Sequence, residues 1–324
     1  MRVLITGGAG FIGSHLAEEL HTRGETINIV DNLSTGSLQN IEHLLQSPRF
    51  NIAVESILNE TVMDRLVSEC DIIFHLAASV GVELIVNKPV EVIETNILGT
   101  EMVLKLANRY LKKVVITSTS EIYGKSEKTP FKENDDRVLG ATTKNRWSYS
   151  SSKAIDEFLA LAYHKQRKLE VIITRLFNTV GPKQTGQYGM VLPRFVVQAL
   201  KGEALTVYGD GTQTRCFAHV KDVVDALITL MNTQNAIGQI FNVGNDQPIT
   251  ILDLAKRVKE ITKSDSEIKF VPYDIAYEEG FEDMAIRIPD LTKVKSLIGY
   301  SPKYMIDQII ESVVNYFLNE KLNF

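Results

Sequence analysis

The chain has 324 residues, 44% of them hydrophobic and 23% charged, with 20 Gly, 9 Pro, 2 Cys and a formal charge of −5. At ~150 residues per domain the length implies about two domains, and the composition excludes a disordered chain, a collagen-like chain and a disulfide scaffold. The negative balance gives no general attraction to nucleic acid or to an anionic membrane surface, while leaving room for a local basic pocket.

Arg2–Thr6 is a short apolar run that meets Gly7-Gly8-Ala9-Gly10 at once. It predicts a strand, and it lacks the h-region and processing site of a secretory signal. Phe11, Ile12, Leu16 and Leu20 then recur at helical spacing, with Gly24 just past the end. Thr26–Val30, Ile72–Leu76, Lys113–Thr117 and Val171–Arg175 read as further strands, and Val90–Tyr110 and Ser148–Gln166 as long helices. Short apolar strands alternating with helices predict an α/β fold, a Rossmann-like doubly wound parallel sheet with right-handed crossovers. After Arg175 the rhythm breaks. Asn178–Arg194 reads as an ordered loop, Phe195–Leu200 as a helix, Leu205–Tyr208 as a strand before the turn Gly209-Asp210-Gly211, and Val220–Met231, Ile251–Ile261 and Met305–Phe317 as helices. No linker-like segment divides the chain, so a smaller C-terminal substrate domain interleaved with the first is expected.

Three patterns carry chemistry. Gly7-x-x-Gly10-x-x-Gly13 follows a predicted strand and opens a helix, the setting in which glycines let a pyrophosphate approach the amides at a helix start. Asp31 ends the second strand, placed to bind adenosine ribose hydroxyls and to repel a 2′-phosphate, so NAD is expected rather than NADP. Tyr149 and Lys153 form Tyr-x-x-x-Lys on one helical face. A neighbouring ammonium favours the phenolate, which can take a hydroxyl proton while hydride leaves the same carbon. His75 and His219 read as structural residues, Trp147 as packing before Tyr149, and Cys70 and Cys216 as reduced thiols. No cluster has metal-ligand spacing, so no metal is expected. No apolar stretch reaches the ~18 residues of a membrane span, and a cytoplasmic location is expected.

The segments GGAGFIGSHL, DNLSTG, FHLAA, TSTSEIYG, YSSSK, RLFNTVGP and LTVYGDGTQTRCFAHVKDV resemble the extended short-chain dehydrogenases/reductases of the nucleotide-sugar epimerase, dehydratase and decarboxylase group. The resemblance implies that residues 1–177, recruiting about 215–245 and 285–295, bind NAD, and that 178–324 mainly bind a nucleotide sugar. It implies cofactor contacts from Gly7, Gly10, Phe11, Ile12, Gly13, Asp31, Asn32, Ser34, Gly36, Leu76, Ala77, Ala78, Asn96, Tyr149 and Lys153. Glu55 and Ser56 depart from the Gly-Asp often found before the position of Ile57, leaving the usual carboxylate near the adenine missing. It implies catalysis by Thr119, Tyr149, Lys153 and Glu121, and a UDP-sugar held by Ser120, Asn178, Val191, Tyr208, Arg215 and Arg287, guanidinium being suited to a diphosphate. A homodimer through the two long helices is implied as well.

All members of the group begin by oxidising C4 of the sugar. Dehydration needs an acid where this chain has Ser120, which is too weak. The segments TSTSEIYG, RWSYSSSKA, FNTVGPKQTGQYGMVLPRF and YEEGFEDMAIRIPD resemble bacterial epimerases acting on UDP-glucuronate, which implies a UDP-sugar 4-epimerase with UDP-glucuronate and UDP-galacturonate as the leading pair. Glu121 and Arg287 keep a second reading open, UDP-glucuronate decarboxylase. A non-catalytic NAD-binding protein is the third, opposed by the intact Thr119, Tyr149 and Lys153.

Overall fold

Apolar runs bounded by turns become strands: β1 (Arg2–Thr6), β2 (Thr26–Asp31), β3 (Phe50–Val54), β4 (Ile72–His75), β5 (Lys113–Thr119) and β6 (Val171–Leu176). The computed structural model describes residues 1–81, 85, 87–186, 190–276 and 284–319. Past Leu176 come the short strands β7 (Thr179–Val180), β8 (Leu205–Tyr208), β9 (Thr214–Cys216) and β10 (Ala218–His219). Then β11 (Gln239–Val243) returns to the main sheet, followed by β12 (Pro248–Thr250), β13 (Ile268–Val271) and β14 (Ile286–Arg287). The main sheet has seven strands in the order β3-β2-β1-β4-β5-β6-β11, every neighbouring pair parallel. The expected doubly wound α/β fold is what the chain adopts.

The pleat explains why these strands read as unbroken apolar runs. Val3 and Ile5 enter one core, Leu4 the other; Phe74 and Ile73, and Val115 and Ile116, divide in the same way. Both faces are covered, as parallel sheets require. Helices α1 (Phe11–Thr22), α2 (Glu60–Glu69), α3 (Pro89–Tyr110) and α4 (Arg146–Arg167) connect the early strands. Among them α2, α3 and α4 share a core through Met63, Val103, Leu104 and Ala160. Further on are α5 (Val191–Lys201), α6 (Val220–Met231), α7 (Ile251–Thr262), α8 (Tyr273–Ala276), α9 (Thr292–Ile298) and α10 (Ile306–Asn319). Leu16 and Leu20 of α1, Val223 and Leu227 of α6 and Val294 of α9 share the opposite face of the sheet. A separate core unites α5, α7 and α10 over β8 through Phe195, Leu254, Val258, Ile309, Val313 and Leu205.

The strand order reverses between β1 and β4, which opens a crevice at the carboxyl ends of the strands. Two differences from the sequence reading matter there. Helix α5 starts at Val191, within the stretch read as loop; Pro193 lies in its first turn, where a missing N–H costs nothing. Helix α4 starts at Arg146, two residues ahead of the expected start, and so carries a basic side chain into the crevice. Among the described residues no helix is long and apolar enough to cross a membrane.

Candidate active site

The crevice is a cavity of about 770 Å³, near the upper end of the ~300–1,000 Å³ usual for small-molecule sites. One end is the glycine turn. Gly7 has φ +70°, and a Cβ there would stand 2.8 Å from the Ala77 nitrogen. A Cβ on Gly13 would come within 2.2 Å of the Gly7 carbonyl oxygen. Glycine at these two positions therefore sets how closely α1 approaches β1 and β4. Gly10 caps α1 without a side-chain hydrogen bond, so the amides of its first turn keep capacity for an anion. Gly10, Phe11, Ile12 and Gly13 all line the cavity.

Asp31 sits beside this turn. Its Oδ2 accepts the Ala9 N–H at 2.9 Å and its Oδ1 the Leu33 N–H at 2.9 Å. Burial raises its carboxyl above the usual value, against the pull of those amides. Gly36 stands behind it, because a Cβ there would lie 2.9 Å from Asp31 Oδ2. Asn32, Ser34, Leu76, Ala77 and Ala78 line the same end. So do Glu55 and Ser56, the former accepting the Ser56 N–H at 2.8 Å, so a carboxylate does stand on this wall, one position earlier than the family pattern places it.

The other end is built where β5 finishes. Thr119 caps the short turn Ser120–Tyr123, its Oγ1 accepting the Glu121 N–H at 3.2 Å. Tyr149 is hydrogen-bonded to Thr119. Burial, then the carboxylates of Glu121 and Asp156, push its phenol well above the ordinary range. The expected lowering by Lys153 is not what the geometry shows. Lys153 is buried and does not line the cavity, and it donates to Asp156 Oδ2 at 2.7 Å, so its charge is matched there. Asn96 does not line the cavity either. It accepts the Ser79 N–H at 2.8 Å and donates to Ser152 Oγ at 3.2 Å, joining the cofactor-side loop to α4. Gly36, Asn96 and Lys153 are the sequence-predicted site residues that do not line the cavity; the rest do.

Glu121 is the electrostatic centre. Arg146 donates to its Oε2, Arg287 approaches Oε1 at 3.5 Å, and Arg215 adds to the field. Burial alone would raise this carboxyl, but the three guanidiniums hold it at about 2. Arg215 and Arg287 are register partners on β9 and β14, and Arg287 donates to Asn178 Oδ1 at 3.2 Å. Ser120 is buried on the cavity wall, and its Oγ has no hydrogen-bond partner among the described residues. Val191 and Tyr208 line the far side, the Arg194 guanidinium lying 4.1 Å over the Tyr208 ring.

Sequence reasoning missed Arg146 and Arg194. The signal for Arg146 was its place three residues before Tyr149, one helical turn away. His75 is fully buried between Thr6 and Thr100, at 2.8 and 3.0 Å, and burial drops its pKa to about 3. His219 bonds Ser312 and stacks on Tyr304. Trp147 is buried with Tyr123, Phe131 and Phe177 beneath the site.

The family model described as GDP-mannose 4,6 dehydratase matches residues 4–313. The chain is 44% identical over 317 residues to a UDP-N-acetyl-alpha-D-glucosaminuronate decarboxylase of Bacillus cytotoxicus, covering 98% of this chain and 97% of that protein. It is 37% identical to UDP-glucuronic acid decarboxylase 1 of Danio rerio, covering 98% of this chain and 73% of that one. The crystal structure of UDP-glucuronic acid 4-epimerase from Bacillus cereus in complex with UDP-glucuronic acid and NAD superposes with a TM-score of 0.88 at 28% identity, over 99% of this chain and 100% of that one. These findings overturn the expectation of a 4-epimerase. The relatives at 37% and 44% identity over nearly the whole chain are decarboxylases, whereas the epimerase stands at 28%.

Proposed function

The chain belongs to the nucleotide-sugar epimerase/dehydratase family of extended short-chain dehydrogenases/reductases, and from that premise we propose that it is an NAD-dependent decarboxylase of UDP-linked hexuronic acids, UDP-glucuronate or its 2-acetamido counterpart. The observation that carries this reading is the cluster at Glu121, where three guanidiniums face a single carboxylate beside Thr119 and Tyr149. That surplus of positive charge suits a substrate with a carboxylate at the reacting end and a diphosphate beyond it.

The cradle fits a dinucleotide, since the Gly7 and Gly13 positions leave no room for a Cβ and the amides that follow are uncapped. Phe11 and Ile12 would hold the pyrophosphate by their backbone N–H groups, and Asp31 would accept from the adenosine ribose. NAD bound there would supply the hydride acceptor for C4 of the sugar and the donor for its return. Tyr149 accepts the proton of the C4 hydroxyl, and Thr119 hydrogen-bonds the same oxygen. Lys153 is matched by Asp156, so Tyr149 becomes a base only when further positive charge arrives beside it.

The resulting 4-keto acid is a β-keto acid. Its C5–C6 bond breaks, C6 leaves as carbon dioxide with both carboxylate oxygens, and the electron pair moves into the C4 carbonyl as an enolate. A phenol held above its ordinary range keeps the proton it has taken, so Tyr149 and Thr119 both donate to that enolate oxygen. Solvent then protonates C5. Ser120 stands where a dehydratase needs an acid for the departing hydroxyl, which argues against dehydration.

The part of the chain bearing the main sheet is assigned to the cofactor and the α5–α7–α10 body to the nucleotide sugar. A second copy of the chain is assigned to the outer face of α3 and α4, where Val90, Leu98, Ile155 and Phe158 are exposed. The test of the reaction is incubation of the NAD-loaded protein with each UDP-uronate, followed by NMR of the sugar. A UDP-pentose or its 4-keto form supports the reading, and an intact hexuronate inverted at C4 contradicts it.

A further inference from the structure

Arg146 is an unusual residue for its position. It is 4% exposed and is the first residue of α4, at the positive end of the helix dipole. A cation there is disfavoured, and a buried charge demands a partner. Its partner is Glu121. The same helix reaches Glu121 a second time, because Ser150 Oγ donates to the Glu121 carbonyl at 2.8 Å. One turn past Arg146, α4 carries Tyr149. Thr119 accepts the Glu121 N–H from the other side.

Resting on the decarboxylase reading, we propose that Arg146 is a positioning residue that fixes the Glu121 carboxylate to the helix bearing Tyr149 and thereby leaves Arg287 able to turn to the carboxylate of the substrate. The distances carry this division. Arg146 is bonded directly to Glu121 Oε2, whereas Arg287 stands 3.5 Å from Oε1 and divides its contacts with Asn178. When the sugar carboxylate draws Arg287 away, Arg146 keeps the buried Glu121 paired. The charged and titratable groups facing Glu121 are Arg146 and Tyr149 from α4, Arg215 from β9 and Arg287 from β14. Of the guanidiniums, Arg146 acts most strongly, and burial pulls the other way. Without Arg146 the carboxyl rises toward neutrality.

The test uses the NAD-loaded protein with whichever UDP-uronate the wild type consumes. Arg146→Gln is expected to lower kcat about 100-fold, the loss typical of a misplaced reacting group, with KM changed less than threefold. An acidic limb should appear in its kcat–pH profile at least one pH unit above any in the wild type. Arg146→Lys should recover part of the rate and move the limb back. In a Glu121→Gln background, Arg146→Gln should cost nothing further. An unchanged pH profile, a loss confined to KM, or losses that multiply in the double variant would overturn the proposal. If Arg146→Gln does not fold, Arg146→Lys decides, because a rate and profile identical to wild type with Glu121 freed would equally overturn it. The Glu121 carboxyl is also followed directly by carbon-13 NMR titration, where Arg146→Lys should titrate above wild type, and coincident titrations contradict the proposal. That readout needs no turnover, so a wild type that releases no carbon dioxide sinks the decarboxylase reading while the Arg146–Glu121 coupling is still decided.

Discussion

Tyr149 and Glu121 are acids of ordinary type moved in opposite directions by their surroundings. Tyr149 is raised by burial and two carboxylates, Glu121 lowered against burial by three guanidiniums. Tyr149→Phe keeps the ring and its packing and removes the proton carrier. It should reduce kcat by ~10²–10⁴-fold while thermal unfolding stays that of wild type; turnover within tenfold of wild type would contradict the assignment. For Glu121 the folded pKa lies below its usual 4.5. Its contribution to stability is therefore complete above that value and is lost as pH falls toward about 2. Urea denaturation of wild type and Glu121→Gln should show a constant difference from pH 5 to 8 that shrinks below about 4.5. A difference that widens on acidification would contradict the sign.

Among the elements, α1 and α4 position the chemistry. α1 is seated by glycine. A methyl at Gly13 would meet the Gly7 carbonyl and the Gly8 Cα, backbone atoms with no side chain to give way. Gly13→Ala should destabilise the protein by ~1–3 kcal/mol, as overpacking does, and weaken NAD binding in calorimetric titration; wild-type affinity would contradict the cradle. α4 is pinned to β6 by Arg175, which donates to Glu157 at 2.9 and 2.7 Å, with Ser118 of β5 on the same carboxylate. The glycine spacing, Asp31 and Tyr-x-x-x-Lys were legible because each is a local pattern with a local cause. The seventh strand was not, since Gln239 and Asn242 break up the apolar run of Gln239–Val243, which only pairing with β6 completes. The Lys153–Asp156 pair was equally hidden. Residues three apart on a helix are neighbours, yet which partner a lysine takes depends on what is buried around it. Arg146 needed the fold to bring a helix start to the end of β5.

For the molecule as a whole, the crevice joins the carboxyl ends of the main sheet to β9, β14 and α5. A chain carrying net negative charge thus places four arginines, Arg146, Arg194, Arg215 and Arg287, on the wall of one cavity. The outer face of α3 and α4 is apolar where the rest of those helices is packed, with Phe158 67% exposed. If the proposed dimer forms through this face, Phe158→Glu should leave a monomer in light scattering coupled to size exclusion; a monomeric wild type, or a variant still dimeric, would contradict the assignment. The central claim is that the sugar is oxidised at C4 and loses C6. The most direct measurement gives the NAD-loaded protein UDP-glucuronate, and separately its 2-acetamido counterpart, carrying carbon-13 at C6 and deuterium at C4. One of them should yield labelled carbon dioxide in step with substrate loss, with the deuterium found at C4 of the pentose or in the reduced cofactor. Carbon-13 retained in an intact hexuronate, with C4 inverted or untouched, would contradict it.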